Sequence, residues 1–598
     1  MKKTILILAA FLFLSDAATI AQQRKELRFP DPEGYLTLKC DFHMHTSFSD
    51  GYVWPTERVK EAWAEGLDVI AITDHIEYRP NAAYIISDLN APWDLARSEA
   101  EKYNMILIKG AEITRNMPPG HFNALFLDDV NALIKDNFMD AVEAAIQQDA
   151  FVFWNHPGWR QGAPDTPYWY PIHKELLKKG WMHGIEIVNW DWYYPEAHAS
   201  ALEYGLTMFG NSDIHGAASE AKAADPEWHR PMTLVFAKTR TTEGVREALK
   251  SGRTAVWYKQ KLYAKEEFAR PLVERSLNVV NPVILLNDQN RGSLILKNQS
   301  DLELRLKPRL HLSGVNLPDS IIIPPGGTVQ ATISSPAREI SGIMGFLTSW
   351  DVMNVFTAPG TNLSLDITVN ILFLGNTAIT RKGSQYFLAA GQTAPLSLSY
   401  ATSSTTPASG YSTLDQPVPA GMKSLFIRCS VDGDPFEMVW QREIATHKGL
   451  GSECTVKELP ERKYMGKGAR SLCDGILGTG NFRSGHWLGF YKDLDAKILL
   501  NDKVRSDSIE VRFMKDEDSW IFLPEKVNVL VSSDGKKFSP AKLKGVRQEG
   551  DVHKYVFDTR GQKIIAVKVV GVNRGECPPD HAGAGQPAWI FSDEIIIH

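Results

Sequence analysis

The chain has 598 residues, of which 43% are hydrophobic and 23% charged, with a net charge of −6. That length exceeds what a single hydrophobic core organises, so three or four domains are expected. No broad basic excess exists to meet a nucleic-acid backbone, so any phosphate chemistry must be carried locally, by a site.

The chain opens on Lys2 and Lys3, an apolar run from Ile5 to Leu14, and the small-residue stretch Thr19-Ile20-Ala21. This order predicts a cleaved export signal over residues 1–21, with a mature chain starting near Gln22 in the periplasm, outside the cell or on its surface. The apolar run is too short to serve as a transmembrane segment of the mature chain. No Cys follows it to carry a lipid anchor. Cys40, Cys429, Cys454, Cys473 and Cys577 form no CxxC pair, so zinc-finger and thioredoxin readings lack support. Cys454 and Cys473 are the nearest pair, and the sequence does not settle whether they are bonded.

From about residue 36 to 260, short β-branched runs alternate with amphipathic stretches. Leu67 to Thr73, Ile106 to Ile113, Phe151 to Trp154 and Ile185 to Val188 read as strands, and Glu57 to Glu65 and Met139 to Gln148 as helices. Such alternation predicts a parallel sheet or barrel, in which polar residues at strand C-terminal ends converge on one rim. After about residue 275, two-residue alternation takes over at Leu302 to Lys307, Thr328 to Ile333 and Leu363 to Ile371, and predicts an all-β sandwich over 275–400. The Ser/Thr/Pro/Gly stretch Thr402 to Gly410 suggests that 401–444 is a linker with a short β segment. Asp507 to Phe513, Val527 to Ser532 and Lys563 to Val570 predict a further β domain over 445–598.

The chemistry-bearing residues concentrate in the first part. His43 and His45 stand two apart on a strand-like run, so both imidazoles leave the same face. Asp50 follows in Ser49-Asp50-Gly51. His75 closes a strand in Ile72-Thr73-Asp74-His75, and Glu112 another in Gly110-Ala111-Glu112-Ile113. His121, His156, Asp213 and His215 complete the set. Imidazole and carboxylate at successive strand ends suit divalent ions such as Zn, Mn or Fe, and a bridging carboxylate can hold two of them together.

The series DFHMHTSFSDG, AITDH, GAEI, GHFNALF, NHP and GNSDIHG resembles the polymerase-and-histidinol-phosphatase (PHP) superfamily, and Cys40 to Thr56, with Glu112 to Leu127 and Trp154 to Trp159, is closer still to its exported bacterial phosphodiesterases. The resemblance spans about residues 30–260. It implies a distorted seven-stranded (β/α) barrel over 25–270 with a trinuclear site of three divalent ions (Zn, Mn or Fe). His43, His45, Glu112 and Asp213 would hold one ion. Glu112 would bridge to a second, also held by His121 and His156, while Asp50, His75 and His215 would hold the third. The implied activity is hydrolysis of P–O ester bonds by a metal-activated hydroxide, on a small phosphate ester or phosphorylated glycan. A phosphodiesterase is expected. The alternatives are a phosphomonoesterase, a glycan-binding surface protein on a non-catalytic barrel, and an amidohydrolase using the same activated water.

Around the implied site, Arg115 and Arg160 each admit two readings, a bidentate grip on phosphate or a fold-stabilising arginine. Asp74 would orient a ligand imidazole or cap the next segment. Trp190, Trp192, Tyr193 and Tyr194 would line a pocket for an apolar ester arm or belong to the core. His173, His183 and His198 fit no motif and are read as structural.

At the C-terminus, Cys473-Asp474-Gly475-Ile476, Gly485 to Phe490, Ser519 to Pro524, Val531 to Gly535 and Phe591 to Glu594 resemble a discoidin-like (factor 5/8 type C) β-sandwich. That resemblance implies a carbohydrate ligand, and a structural Ca held through Asp474 and Glu594, or the same loops held by hydrogen bonds without metal. Trp487 and Trp520 are read as core.

Overall fold

The computed structural model describes residues 23–598 except 160–166, 282, 287–289, 336–340, 375–376, 391–395, 408–409 and 432–436. The expected export segment and Arg160 lie outside the described residues. The strands of this region are β1 (Leu36–Asp41), β2 (Val69–Ile72), β3 (Ile106–Ile113), β4 (Phe122–Leu125), β5 (Phe151–Trp154), β6 (Gly184–Asn189), β7 (Trp192–Tyr193), β8 (Thr207–Asn211), β9 (Met232–Ala237), β10 (Thr254–Tyr258) and β11 (Lys261–Ala264), of which β2, β3, β5 and β6 fall on the four expected runs. Between them run α1 (Pro55–Ala64), α2 (Ala91–Lys102), α3 (Phe138–Ile146) and α4 (Pro171–Lys179). α1 starts on Pro55, whose missing N–H costs nothing in the first turn, and the Asn137 side chain caps α3 through the amides of Met139 and Asp140.

β1, β2 and β3 pair in parallel, as do β5, β6 and β8. The repeat breaks at β4, antiparallel to both β3 and β5, and at β9, antiparallel to β1. The barrel closes between β8 and its neighbours through threonine hydroxyls. Thr233 Oγ1 accepts from Gly210 N and faces Gly210 O, both at 3.0 Å, and Thr254 Oγ1 donates to Met208 O at 2.9 Å. Gly210 is required there, because a Cβ would collide with Val256 on β10. One apolar cluster takes alternate residues of successive strands, among them Cys40, Phe42, Val69, Ala71, Phe151, Phe153 and Phe209, and so fills the barrel interior.

The β-sandwich that follows is continuous with the barrel sheet. Its long hairpin, Ser341–Ala358 with Thr361–Leu374, extends β11 in parallel at Leu262↔Val355 and Tyr263↔Phe356. The stretch 401–444, expected as a linker with a short β segment, carries most of a four-stranded antiparallel sheet instead. Leu396–Ala401 pairs with Ser412–Thr413 and Ser424–Val431, and the latter with Glu437–Glu443. Leu398, Tyr400, Leu425 and Ile427 bury their side chains in its core.

The last module is a β-sandwich built on Leu494–Met514, flanked by Val552–Val572 and Ile590–Ile597. Cys454 and Cys473 face one another as free thiols, and the Cys454 contact together with burial raises the pKa of the Cys473 thiol. Among the described residues, no helix is long and apolar enough to cross a membrane.

Candidate metal centre

The chain leaves β1 at Asp41 and places His43 and His45 on the rim. His75 follows β2, Glu112 sits at the end of β3, His156 follows β5, and Asp213 and His215 follow β8. His121 reaches the same rim from the start of β4, because that strand runs the other way. The residues meet in three overlapping groups: His43, His45, Glu112 and Asp213; His45, Asp50, His75 and His215; and His75, Glu112 and His121.

In the first group, His43 Nε2 lies 2.8 Å from Glu112 Oε2 and 3.1 Å from Asp213 Oδ1. His45 Nε2 lies 3.0 Å from Asp213 Oδ1 and 3.4 Å from Glu112 Oε2. Ligand atoms about 2.0 Å from one tetrahedral ion stand about 3.3 Å apart, so these separations suit a single cation between them. His121 Nδ1 and Glu112 Oε1 are 2.5 Å apart. Yet His121 Nδ1, His45 Nδ1 and Asp50 Oδ1 are buried polar atoms without a hydrogen-bond partner. Buried polar atoms this close but off hydrogen-bond geometry fit a set of cation ligands.

His156 departs from the expected grouping. It falls outside the Glu112–His121 group, with its Nε2 3.8 Å from Asp213 Oδ2 and its ring 4.9 Å from that of His121.

Electrostatics follow from packing carboxylates and imidazoles together. Burial opposes charge on His43, but Asp213 and Glu186 outweigh it and raise its pKa well above the ordinary range. Burial likewise opposes charge on His75, while Glu112 and Asp50 carry it up to about 10. Burial and the neighbouring His121 push His156 down to about 4. Glu112 and Asp213 overcome their own burial through these imidazoles and are held well below the carboxylate range. Cation binding would displace the protons that the imidazoles hold.

A family model described as a PHP domain matches residues 41–202, and one described as an Ig-like domain matches 279–368. A two-domain protein of Bacteroides vulgatus ATCC 8482, described as containing a PHP-like metal-dependent phosphoesterase, is 43% identical, with a TM-score of 0.55. The match covers 58% of this chain and 100% of that one. The chain belongs to the PHP family. A 5'-3' exoribonuclease of Haemophilus influenzae is 37% identical over 81 residues, 14% of this chain, and the match spans only 25% of that enzyme's length. A CBM32 module of Clostridium perfringens aligns at 15% identity and a TM-score of 0.17, covering 26% of this chain and 98% of that module.

Within the PHP domain, the residue that holds the centre from behind is Glu186, which carried no expectation. Fully buried on β6, it accepts from His43 Nδ1 at 2.8 Å, His156 N at 2.7 Å, and the side chains of Asn189 and Asn211 at 2.9 Å each. This fixes the His43 tautomer and turns Nε2 toward the other ligands. Its signal was a lone carboxylate inside the apolar run Gly184-Ile185-Glu186-Ile187-Val188.

Asp74 does not orient an imidazole. It accepts from Thr46 N, Thr46 Oγ1 and Ser49 Oγ at 2.6–2.7 Å, so it shapes the loop joining His45 to Asp50. Gly51 completes that loop, where a Cβ would sit 2.8 Å from the His45 carbonyl carbon. Arg58, wholly buried in α1, donates to the backbone oxygens of His45, His215 and Gly216 and ties the two ligand loops together. Arg230 plays a parallel part beneath them, donating to Asp41 and Glu65. None of these roles was legible from helical or strand spacing.

Arg115 lines the cleft over the centre, but its guanidinium pairs with Glu77 and donates to the backbone oxygens of Thr114 and Lys135. That cleft has a volume of about 760 Å³, and Trp190, Trp192 and Tyr194 form part of its wall. Tyr193 does not join them: its ring stacks on Tyr263 at 4.3 Å. His173 donates to Pro119 O, His183 accepts from Val152 N and His198 bonds Tyr193, all as structural histidines.

The C-terminal residues do not fit the calcium implied by the discoidin resemblance. Lys467 Nζ lies 2.7 Å from Asp474 Oδ2, and Ile476 N donates to Asp474 Oδ1. His447 Nε2 and Gly475 N occupy the two oxygens of Glu594. Each oxygen of the two carboxylates thus accepts a donor from the chain itself, which is the hydrogen-bonded arrangement without metal. Trp487 is buried as expected of core, whereas Trp520 is 37% exposed.

Proposed function

We propose that this PHP protein is an exported phosphodiesterase working at a trinuclear centre. The observation that carries the reading is the position of Glu112, which belongs to two of the three ligand groups and so would be shared between ions. His43, His45 and Asp213 would complete one set around it, and His75 and His121 a second with His156 beside them. Asp50 and His215 would hold the third ion together with His45 or His75. Divalent cations bound there would supply an activated water and neutralise the charge of phosphate oxygens.

The chain's own residues do the positioning. Glu186 locks His43, Asp74 sets the loop carrying Asp50, and Arg58 fastens both ligand loops to α1. Among the described residues lining the cleft, Arg115 is the only lysine or arginine, and Glu77 already engages it. Among those described residues a monoester's second negative charge would therefore meet no free cationic side chain, whereas a diester's uncharged arm would meet the aromatic wall. That balance favours the diester. Export rests on the basic-apolar-small order of residues 1–21.

The test is hydrolysis of bis-p-nitrophenyl phosphate against p-nitrophenyl phosphate, with Mn²⁺ and after chelation. Faster turnover of the diester, lost on chelation, is the expected result. Turnover of the monoester alone, or hydrolysis indifferent to chelation, would overturn the reading.

A further inference from the structure

The wall of the cleft contains an arrangement that metal binding does not explain. β6 and β7 form a hairpin in which Asn189 pairs with Trp192, leaving Trp190 and Asp191 as a two-residue turn. Trp190 has φ of +50°, in the left-handed region. Glycine or asparagine adopts that conformation readily, and a bulky side chain there is a genuine outlier.

The turn is nevertheless braced. The Trp190 amide donates to Asn211 O at 3.1 Å, and Asp191 accepts from Tyr258 at 2.5 Å and pairs with Lys259. Behind it, the buried Trp228 ring supports the Trp190 indole at 5.4 Å. The surroundings thus hold a large aromatic ring in a place where backbone conformation argues for a small residue. Strain of this kind concentrates at ligand clamps.

The exposed ring is not alone. Trp190 is 36% exposed, Trp192 and Tyr78 are each 55% and Trp159 is 50%, and all four border the one cleft above the metal ligands. Among the described residues lining the cleft, the charged groups apart from the ligand histidines are Asp50, Glu77 and Asp213 and the already paired Arg115, while Asp191 and Lys259 engage each other at the turn. Among these described residues, a charged arm or a chain of further phosphates would find no free counterion.

We infer that the Trp190–Trp192 hairpin is a platform for the organic arm of the substrate, and that this arm is an uncharged ring with a flat face, stacked on indole while the phosphate meets the metal ligands. The inference rests on the phosphoesterase reading above. A pyranose and a nucleoside both offer such a face, and the test separates them.

The full chain loaded with Mn²⁺ is titrated with phenylphosphonate and with methylphosphonate, and binding is followed by calorimetry, which needs no turnover. Stacking of one ring predicts about tenfold tighter binding of the phenyl compound. Trp190→Gly suits the left-handed backbone and removes the ring, so it should keep the thermal midpoint and abolish most of that ratio, as should Trp192→Ala. α-D-Glucose 1-phosphate and uridine 5′-monophosphate, titrated in the same way, identify the ring source by which one gains over methylphosphonate. Equal binding of the two phosphonates, no phosphonate binding, or a ratio that survives both substitutions together would overturn the inference. Ring preference without any diester hydrolysis would instead count against the diesterase reading and leave the platform standing.

Discussion

Glu186→Gln is the substitution that best isolates how the centre is supported. The two side chains have nearly the same shape, so packing is preserved while one acceptor oxygen becomes an NH₂ group. Oε1 of Glu186 receives His43 Nδ1 and Asn211 Nδ2, and Oε2 receives His156 N and Asn189 Nδ2. Whichever way the amide turns, it presents its NH₂ to two donors in a fully buried site. Each buried donor left without an acceptor costs about 1–3 kcal/mol, so the substitution should destabilise the protein by about 2–6 kcal/mol. Loss of a carboxylate behind a ligand imidazole should also weaken metal binding by about 10- to 100-fold. Urea unfolding of the chelated protein reads the first effect, and competitive metal titration with a chromophoric chelator reads the second. A variant with the wild-type urea midpoint and wild-type metal affinity would refute the assignment of Glu186 as the brace of His43.

Other consequences are equally specific. Glu112→Gln should reduce the metal content measured by elemental analysis by more than one ion per chain and abolish diester turnover, since two ligand groups lose a shared carboxylate. Arg58→Met should cost about 1–3 kcal/mol in denaturant unfolding, because it strips the buried His45 oxygen of its donors and removes the nearer of the two arginines from Glu61. Burial depresses His173, His198 and His229 to about 4. A depressed imidazole contributes stability above its unfolded pKa of about 6.5 that is lost as pH falls toward its folded value. Stability should therefore decline from about pH 6.5 to pH 4, by up to about 1.4 kcal/mol per pH unit for each histidine. His173→Gln should flatten that slope in pH-dependent urea melts.

Much of the centre could be read from the chain because its chemistry is conspicuous. Histidines and carboxylates at strand ends have few structural uses in such density, and strand order alone brings His43 and His215 to one rim. The supporting residues were hidden for the opposite reason. Arg58 lies on an amphipathic helix, where an arginine ordinarily faces solvent, and only the path of the two loops above α1 buries it. Asp74 precedes His75 in sequence, yet strand alternation turns its carboxylate away from the imidazole and toward Thr46 and Ser49. Arg115 was readable as a phosphate grip, but Glu77 faces it across the cleft edge. The stretch 401–444 misled through its polar composition, since a small sheet needs only a few apolar residues to build a core, here Leu425 and Ile427 packed with Leu398 and Tyr400 from the strand just before it. For Glu186, the isolated charge in a wholly apolar strand was the available clue.

The ladder from β11 into the hairpin Ser341–Ala358 and Thr361–Leu374 constrains how the enzyme can be dissected. Tyr263 stacks on Phe356, and one continuous apolar cluster contains Met44, next to the ligand histidines, along with Trp350 and Leu365 from the sandwich. Cutting the chain after the helix Glu266–Ser276 would bare an open sheet edge and half of that shared interior, conditions that invite self-association. The smallest autonomous catalytic fragment therefore includes the neighbouring sandwich, which serves the barrel as a permanent wall.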